Sequence, residues 1–294
     1  DRTAMRIVVG YTDTPGGRDA LALAARLASS LAASIDLVLV LASDERATIT
    51  PPDAGYQRLV HTRAEGWLAK AAAKVPGGVA VTTNVVYAES FAQGLLEISK
   101  EVEGSLIVVG GANEGVRGRF SVGSVASALL HSAVVPVVLA PKGIRKLELD
   151  GIGRITVAVG TRPGAEEVLD AGIVLATRAE ATLRLVSLVA LDVPKDARDE
   201  ANAAAQTHAR TALDYAAEHL PAGVERESLI AEGKRIETAV RSIPWEPSEL
   251  VLVGSSRLAP SGQIFLGSTA AKMLHELPVP MVVVPRDSVL EIGD

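Results

Sequence analysis

Glycine-rich segments followed by a serine occur twice in the chain, each ahead of a stretch with helical periodicity. In the first half, Gly110 lies at the end of an apolar strand and Asn113 follows three positions later. After nine more residues, Gly123, Ser124 and Val125 begin a helical segment. Glycines let a backbone approach an anion closely, and a helix start offers unpaired N–H groups at the positive end of its dipole. The pattern therefore predicts binding of a phosphate-like group.

The same frame recurs 144 residues later. Gly254 ends an apolar strand, Arg257 stands at the position of Asn113, and Gly267 with Ser268 begins the next helical segment after nine residues. The long Arg257 side chain would either fill the cavity or pair with an anion through its guanidinium group. The second frame therefore predicts a site of the same kind with an altered lining.

Ser124 and Ser268 also suit the N-cap position of a helix. There a serine oxygen accepts a hydrogen bond from an N–H of the first turn. A helix cap and a phosphate ligand use the same geometry, so capping alone and phosphate binding both stay open.

The elements that would position these residues alternate between short β-branched runs and alanine-rich segments of helical period. This order is typical of parallel α/β sheets. The runs at 106–109 and 135–139 are apolar without alternation, as expected for strands with helices on both faces. After a polar stretch at 142–153 the order restarts at Arg154. We expect two tandem, doubly wound, five-stranded parallel sheets, with domains at 1–145 and 146–294.

An internal duplication accounts for the repeated order. Residues 123–141 align with 267–285 without a gap, and nine of the nineteen positions are identical. The identities include the Gly-Ser pair, a histidine and two prolines at fixed spacing. Chance similarity between alanine-rich helices does not explain all of these matches.

Composition excludes several classes of function. The 294 residues include no cysteine, which rules out a disulfide framework and thiolate chemistry. The net charge is −6 with basic residues scattered, so nucleic acid is not an expected partner. Neither a secretory pattern nor an apolar run of membrane-spanning length is evident, so we expect a cytoplasmic protein that does not bind membranes.

Common catalytic signatures are also missing from the sequence. It contains no Gly-x-x-x-x-Gly-Lys-Ser/Thr phosphate loop, no Gly-x-Ser-x-Gly elbow and no metal-ligand spacing of histidines and carboxylates. Nor does any nucleophile, base and oxyanion constellation stand out. We therefore assign no catalytic residue and no metal ligand.

The two glycine frames and the order of elements resemble the universal stress protein family. Its nucleotide motif, Gly-x-x-Gly, nine residues, then Gly and Ser or Thr, cradles ATP phosphates. Its first-strand loop reads like Val-Asp-Gly-Ser-Pro, and the aspartate helps to hold the nucleoside. Aligned on proline, Thr12 and Gly160 stand at the aspartate position, and Asp13 lies one place along. The resemblance implies a Rossmann-like fold of the adenine nucleotide alpha hydrolase type.

That resemblance implies a stress-response protein that binds and senses an adenine nucleotide without turnover, with ATP as ligand and Mg²⁺ accompanying it. It also implies that the last strands of the two halves pair across an internal pseudo-twofold axis, and that two chains form a homodimer. The candidate binding residues are Thr12, Asp13, Gly110, Asn113, Gly123, Ser124, Val125, Gly254, Arg257, Gly267 and Ser268.

Two other functions stay open. The substitutions Asn113 and Arg257, with the missing aspartate, favour a structural or protein-interaction module that has lost nucleotide. A slow ATPase or nucleotidyl-transferring enzyme is the third, since one fold supports many functions.

Overall fold

The computed structural model describes residues 4–43, 54–111, 123–159, 165–190, 194–255, 268–286 and 290. Within these residues both halves follow the predicted order. The first half contains β1 (Arg6–Gly10), α1 (Pro15–Leu31), β2 (Ser34–Ala42), α2 (Ala54–Ala72), β3 (Val81–Ala88), α3 (Phe91–Glu101), β4 (Leu106–Gly110), α4 (Ser124–Ser132), β5 (Val137–Ala140) and a 3₁₀ helix (Ile144–Lys146). The second half contains β6 (Arg154–Ala158), α5 (Ala165–Ala179), β7 (Thr182–Ala190), α6 (Lys195–His219), β8 (Arg226–Gly233), α7 (Ile236–Ser242), β9 (Glu249–Gly254), α8 (Ser268–Glu276) and β10 (Met281–Val284). Among the helices described, none is long and apolar enough to cross a membrane.

The strands form one sheet in the order β3-β2-β1-β4-β5-β10-β9-β6-β7-β8. Within each half all neighbouring strands are parallel. In the first half the chain runs outward from β1 to β3 and then returns to place β4 on the other side of β1. This reversal defines a doubly wound sheet and leaves a crevice at the carboxyl ends of β1 and β4. The predicted fold class is confirmed.

The last strands of the two halves join them. Strands β5 and β10 pair antiparallel, with Val138 opposite Val282 and Leu139 opposite Met281. Val138 and Val282 are separated by the offset of the duplication, so each faces its own duplicate. A pseudo-twofold axis therefore passes between them, and the predicted pairing of the last strands is confirmed. Pairing of two chains with each other stays a prediction.

Helices cover both faces of the sheet, and each face has a core that crosses the joint. One core packs α1, α2, α5 and α6 on the sheet, and it contains Ile7 of β1 together with Leu252 of β9. The other packs α3, α4, α7 and α8, and it contains Val137 together with Val283. These residues are all 0% exposed, so the two halves bury apolar surface as one body.

The polar connection between the halves is anchored along α1. Asp19, which is 1% exposed, accepts hydrogen bonds from the backbone N–H groups of Gly143 and Arg145, at 2.8 and 3.1 Å. Farther along α1, the Ser30 hydroxyl accepts one from the N–H of Ile152 at 2.9 Å. The 3₁₀ helix therefore packs on the first half, and the boundary between 145 and 146 falls inside it. Domain limits of 1–145 and 146–294 stay a proposal.

Candidate functional site

A cavity of about 310 Å³ lies at the crevice between β1 and β4. Its lining comes from the ends of these two strands, the first turn of α1, the start of α4 and one side chain of α3. The lining residues are Gly10, Thr12, Thr14, Gly16, Gly17, Phe91, Val109, Gly110, Gly111, Gly123, Ser124, Val125 and Ala126. The volume is at the lower end of the range for small-molecule sites.

The turn from β1 into α1 brings two threonine hydroxyls to the cavity. Thr14 is the N-cap of α1, and its Oγ1 accepts a hydrogen bond from the N–H of Gly17 at 3.2 Å. Pro15 follows at the start of the helix, where its fixed φ and missing N–H carry no penalty. The Thr12 and Thr14 hydroxyl oxygens lie 2.8 Å apart and share a hydrogen bond. A capped helix start with a pair of hydroxyls therefore forms one wall.

Glycines in this region permit very close backbone contact between α1 and β4. A Cβ added at Gly110 would lie 2.0 Å from the carbonyl oxygen of Gly16. One added at Gly17 would lie 2.0 Å from the carbonyl oxygen of Thr12. Gly110 was predicted for its approach to a phosphate, but helix packing by itself already requires glycine there. The same packing brings the first turn of α1 to the edge of the cavity.

The start of α4 forms the opposite wall. Gly123 is the N-cap residue, and Ser124 is the first residue of the helix. No side chain caps this end of α4. The alternative in which Ser124 serves as the N-cap is therefore wrong, because the cap falls one residue earlier. Ser124 is exposed at the cavity, and Val125 beside it is half-buried. Free N–H groups at this end and the Ser124 hydroxyl can all donate to an anion.

Asp13 lies outside the cavity lining. Its carboxylate accepts a hydrogen bond from the Arg18 guanidinium at 2.8 Å, and both side chains are partly exposed. Thr12, which stands at the position expected for an aspartate, does line the cavity. The hydroxyls of Thr12 and Thr14, and not the carboxylate of Asp13, are thus the polar side-chain groups of this turn that line the cavity.

No ionisable side chain is present among the described residues of the cavity lining. Next to the cavity, burial raises the pKa of Tyr11, and the negative charge of Asp13 adds to the effect. Among the described residues there is also no cluster of three or more histidine and carboxylate side chains that could hold a metal ion. The described lining can bind a ligand through hydroxyl and backbone groups, but it offers no acid–base pair.

The corresponding region of the second half is described only in part. Gly254 ends β9 and is half-buried, while Ser268 begins α8 and is exposed. The remaining predicted residues of this site, Arg257 and Gly267, lie outside the described residues, as does Asn113 of the first site. The two ends of the second frame therefore occupy the same elements as in the first half.

Several lining residues were missed by reasoning from sequence. Thr14, Gly16 and Gly17 belong to the segment Thr-Pro-Gly-Gly, whose N-cap threonine and N1 proline are a sequence signal for a helix start. Phe91, at the start of α3, carried no such signal. It reaches the cavity because α3 packs beside the end of β1, where Gly10 leaves room for its ring.

Comparison with known proteins agrees with this architecture. The model of the universal stress protein family matches the chain twice, at residues 3–141 and 151–285. A universal stress protein of Mycobacterium tuberculosis is 27% identical over 295 residues, which covers 96% of this chain and 100% of the relative. Another, from Mycolicibacterium smegmatis, is 29% identical over 71% of this chain and 70% of its own length.

The fold is also similar to solved structures. The crystal structure of a universal stress protein from Archaeoglobus fulgidus superposes with a TM-score of 0.67, at 19% identity, over 98% of this chain and 97% of the other. One from Pseudomonas aeruginosa gives 0.61 at 21% identity, over 97% and 95%. The two family-model matches, at residues 3–141 and 151–285, place the chain in the universal stress protein family, in a form with two tandem domains.

Proposed function

We propose that the first half binds an adenine nucleotide, with the phosphates held between the first turn of α1 and the start of α4. The observation that carries this proposal is the convergence of two helix N-termini on one cavity. The α4 terminus offers backbone N–H groups without a side-chain cap, and both termini present a positive dipole end that favours an anion. The Ser124 hydroxyl adds a donor from α4.

The adenine base and the triphosphate come into the proposal from the family resemblance, since hydroxyl and backbone donors suit any phosphate. In this proposal Gly110, Gly123 and Ser124 surround the phosphates, while Thr12 contacts the sugar. Asn113 belongs to the same site by sequence. Because no metal-binding cluster is found among the described residues, Mg²⁺ would arrive with the nucleotide and be held mainly by its phosphates.

We infer binding without turnover as the function of this site. A positioned acid or base near the phosphate speeds hydrolysis or transfer, and the described lining has no ionisable group. Nucleotide binding would then shift the population of a form of the protein that a cellular partner recognises. A second site, with Gly254, Arg257, Gly267 and Ser268, is part of the same proposal.

Calorimetric titration of ATP into the chain and into Ser124→Ala tests the proposal. Removing one hydrogen bond to a charged phosphate costs about 1.5–3 kcal/mol, so affinity should fall roughly 10- to 100-fold. Ser132→Ala is the matched control at the other end of α4, where the hydroxyl donates to the carbonyl of Ala128 at 2.6 Å. It should leave the affinity unchanged. Equal loss in both variants, or no ATP binding by the unmodified chain, would count against the proposal.

An interaction module without nucleotide is the second candidate. Two observations favour it: packing against Gly16 already explains Gly110, and the Asp13 carboxylate is engaged with Arg18. Mass spectrometry of small molecules released from freshly purified protein separates the two proposals. ATP near one equivalent per chain supports a filled first site, and two equivalents support both sites. No nucleotide, together with a flat titration, supports the interaction module.

A further inference from the structure

The two outer edges of the ten-stranded sheet differ in their chemistry. Strand β3 forms one edge and β8 the other. The β8 edge carries exposed charges at Arg226, Glu227 and Glu232, and such charges protect an edge strand from pairing with another chain. Strand β3, Val81–Ala88, carries no charged residue in its eight positions. The first-half edge therefore lacks the usual protection.

Among the described residues, no strand pairs with the outer side of β3. The carbonyl of Ala80 accepts a hydrogen bond from the N–H of Ile35, and the carbonyl of Ala88 accepts one from Ser43. Even-numbered residues thus face β2, and by the alternation of a strand the odd-numbered ones direct N–H and C=O away from it. Thr83 and Val85 therefore present a free donor and acceptor pattern that another strand can use.

A second cavity, of about 430 Å³, lies along this part of the edge. Four consecutive residues of β3, at positions 83–86, line it. Helix α2 contributes His61, Glu65 and Leu68 from one face of the sheet, and α3 contributes Ile98 and Glu101 from the other. Because lining comes from both faces and from successive strand residues, the cavity is a groove along the edge and not a pocket under one face.

The groove has a polar and acidic character. Glu65 and Glu101 are the carboxylates in its lining, and both are exposed. The Nδ2 atom of Asn84 is buried in the groove without a hydrogen-bond partner among the described residues. The ring of His61, within the groove lining, stacks on that of Tyr87 with centroids 5.9 Å apart, and its Nε2 lies 3.4 Å from a carboxylate oxygen of Glu65.

We propose that the β3 edge binds an extended, basic polypeptide segment as an added strand. Backbone hydrogen bonds to Thr83 and Val85 hold the segment, and its lysine or arginine side chains pair with Glu65 and Glu101. A second copy of this chain is a poorer occupant, because it would bring two further carboxylates to the same groove. This site is separate from the nucleotide cavity, which lies at the carboxyl ends of β1 and β4.

Fluorescence anisotropy with a short labelled peptide that alternates lysine and valine tests the proposal. We expect binding that weakens as salt is added and that is much weaker for the glutamate–valine counterpart. Thr83→Pro removes one outward N–H and should abolish binding. Ser228→Pro is the matched control, since Ser228 of edge strand β8 pairs with Leu185 of β7 as Thr83 of edge strand β3 pairs with Leu37 of β2. It should leave binding unchanged.

A paired variant keeps the test valid if Thr83→Pro fails to fold. Glu65→Gln combined with Glu101→Gln preserves the shape of the groove and should weaken binding of the basic peptide about 2- to 30-fold. Equal binding of the acidic and basic peptides would overturn the proposal. So would no binding up to about 1 mM peptide. Sedimentation that shows a dimer lost in Thr83→Pro would instead assign the edge to a second copy of the chain.

Discussion

Replacing Gly110 with alanine adds one methyl group where β4 meets the first turn of α1. That methyl would lie 2.0 Å from the carbonyl oxygen of Gly16 and 2.5 Å from its carbonyl carbon. Both are backbone atoms, so no change of rotamer relieves the clash. To reach an ordinary contact of 3.4 Å, the first turn of α1 must withdraw by about 1.4 Å.

The expected loss of stability follows from this geometry. Overpacking a close-packed interior costs about 1–3 kcal/mol, and a clash that only a backbone shift can relieve belongs at the upper end. We therefore expect Gly110→Ala to lower the free energy of unfolding by about 3 kcal/mol. For 294 residues that unfold as one body, that corresponds to a fall in Tm of about 5 °C.

Urea and thermal unfolding followed by circular dichroism measure the change. Gly66→Ala is the matched control, because Gly66 lies inside α2 and no atom of the described residues would lie within 4 Å of its added Cβ. Alanine favours the helix there, so Gly66→Ala should raise stability by about 0.5–1 kcal/mol. The same methyl group is thus expected to have opposite effects at two glycines.

The functional consequence is measured on the same variant. Withdrawal of α1 moves Thr14 and Gly16 away from the start of α4, so Gly110→Ala should also weaken ATP binding. A Gly110→Ala protein as stable as the unmodified chain would refute the packing argument. Normal stability combined with lost ATP binding would instead indicate that Gly110 is needed for phosphate binding and not for packing against α1.

Three further outcomes are expected. Asp19→Ala removes the acceptor of two backbone N–H groups in the connection between the halves, so urea unfolding should show a loss of about 1–3 kcal/mol. Glu249→Gln leaves buried Arg184 without a charged partner and should cost about 3 kcal/mol in the same assay, whereas an unchanged midpoint would show that the pair contributes little. A hydrogen bond to Asp170 raises the pKa of Tyr215 to about 12, so the bond's stabilisation should be full below about pH 10 and lost as pH rises through 12. Tyr215→Phe should flatten that part of the stability–pH curve, and an unaltered curve would contradict the assignment.

Much of the fold was predictable because its signals are local. The apolar runs at β4 and β5 lack alternation, and strands covered on both faces need no polar side. The duplication was visible in the aligned segments at the ends of the two halves. The 3₁₀ helix Ile144–Lys146 was not predicted, because it depends on Asp19, more than 120 residues earlier in the chain.

The candidate site was predictable only in outline. The glycine frame correctly brought Gly110 and Ser124 to one cavity, since the ends of parallel strands and the helices that follow them meet at the same edge. It did not indicate that the Asp13 carboxylate pairs with Arg18 outside the cavity, or that Thr14 and Phe91 line the cavity. Those positions depend on how α1 and α3 pack, and periodicity in sequence does not encode that packing.

The sequence by itself determined the order of elements, the duplication and the two glycine frames, because each depends only on residue type and on spacing along the chain. Only the tertiary structure decided that Gly110 is required by the backbone of Gly16, and that β3 leaves an uncharged edge open beside Glu65. Both facts concern residues far apart in the chain. Contacts of that kind are fixed by packing and by which strand lies at the margin of the sheet, and no local pattern specifies either.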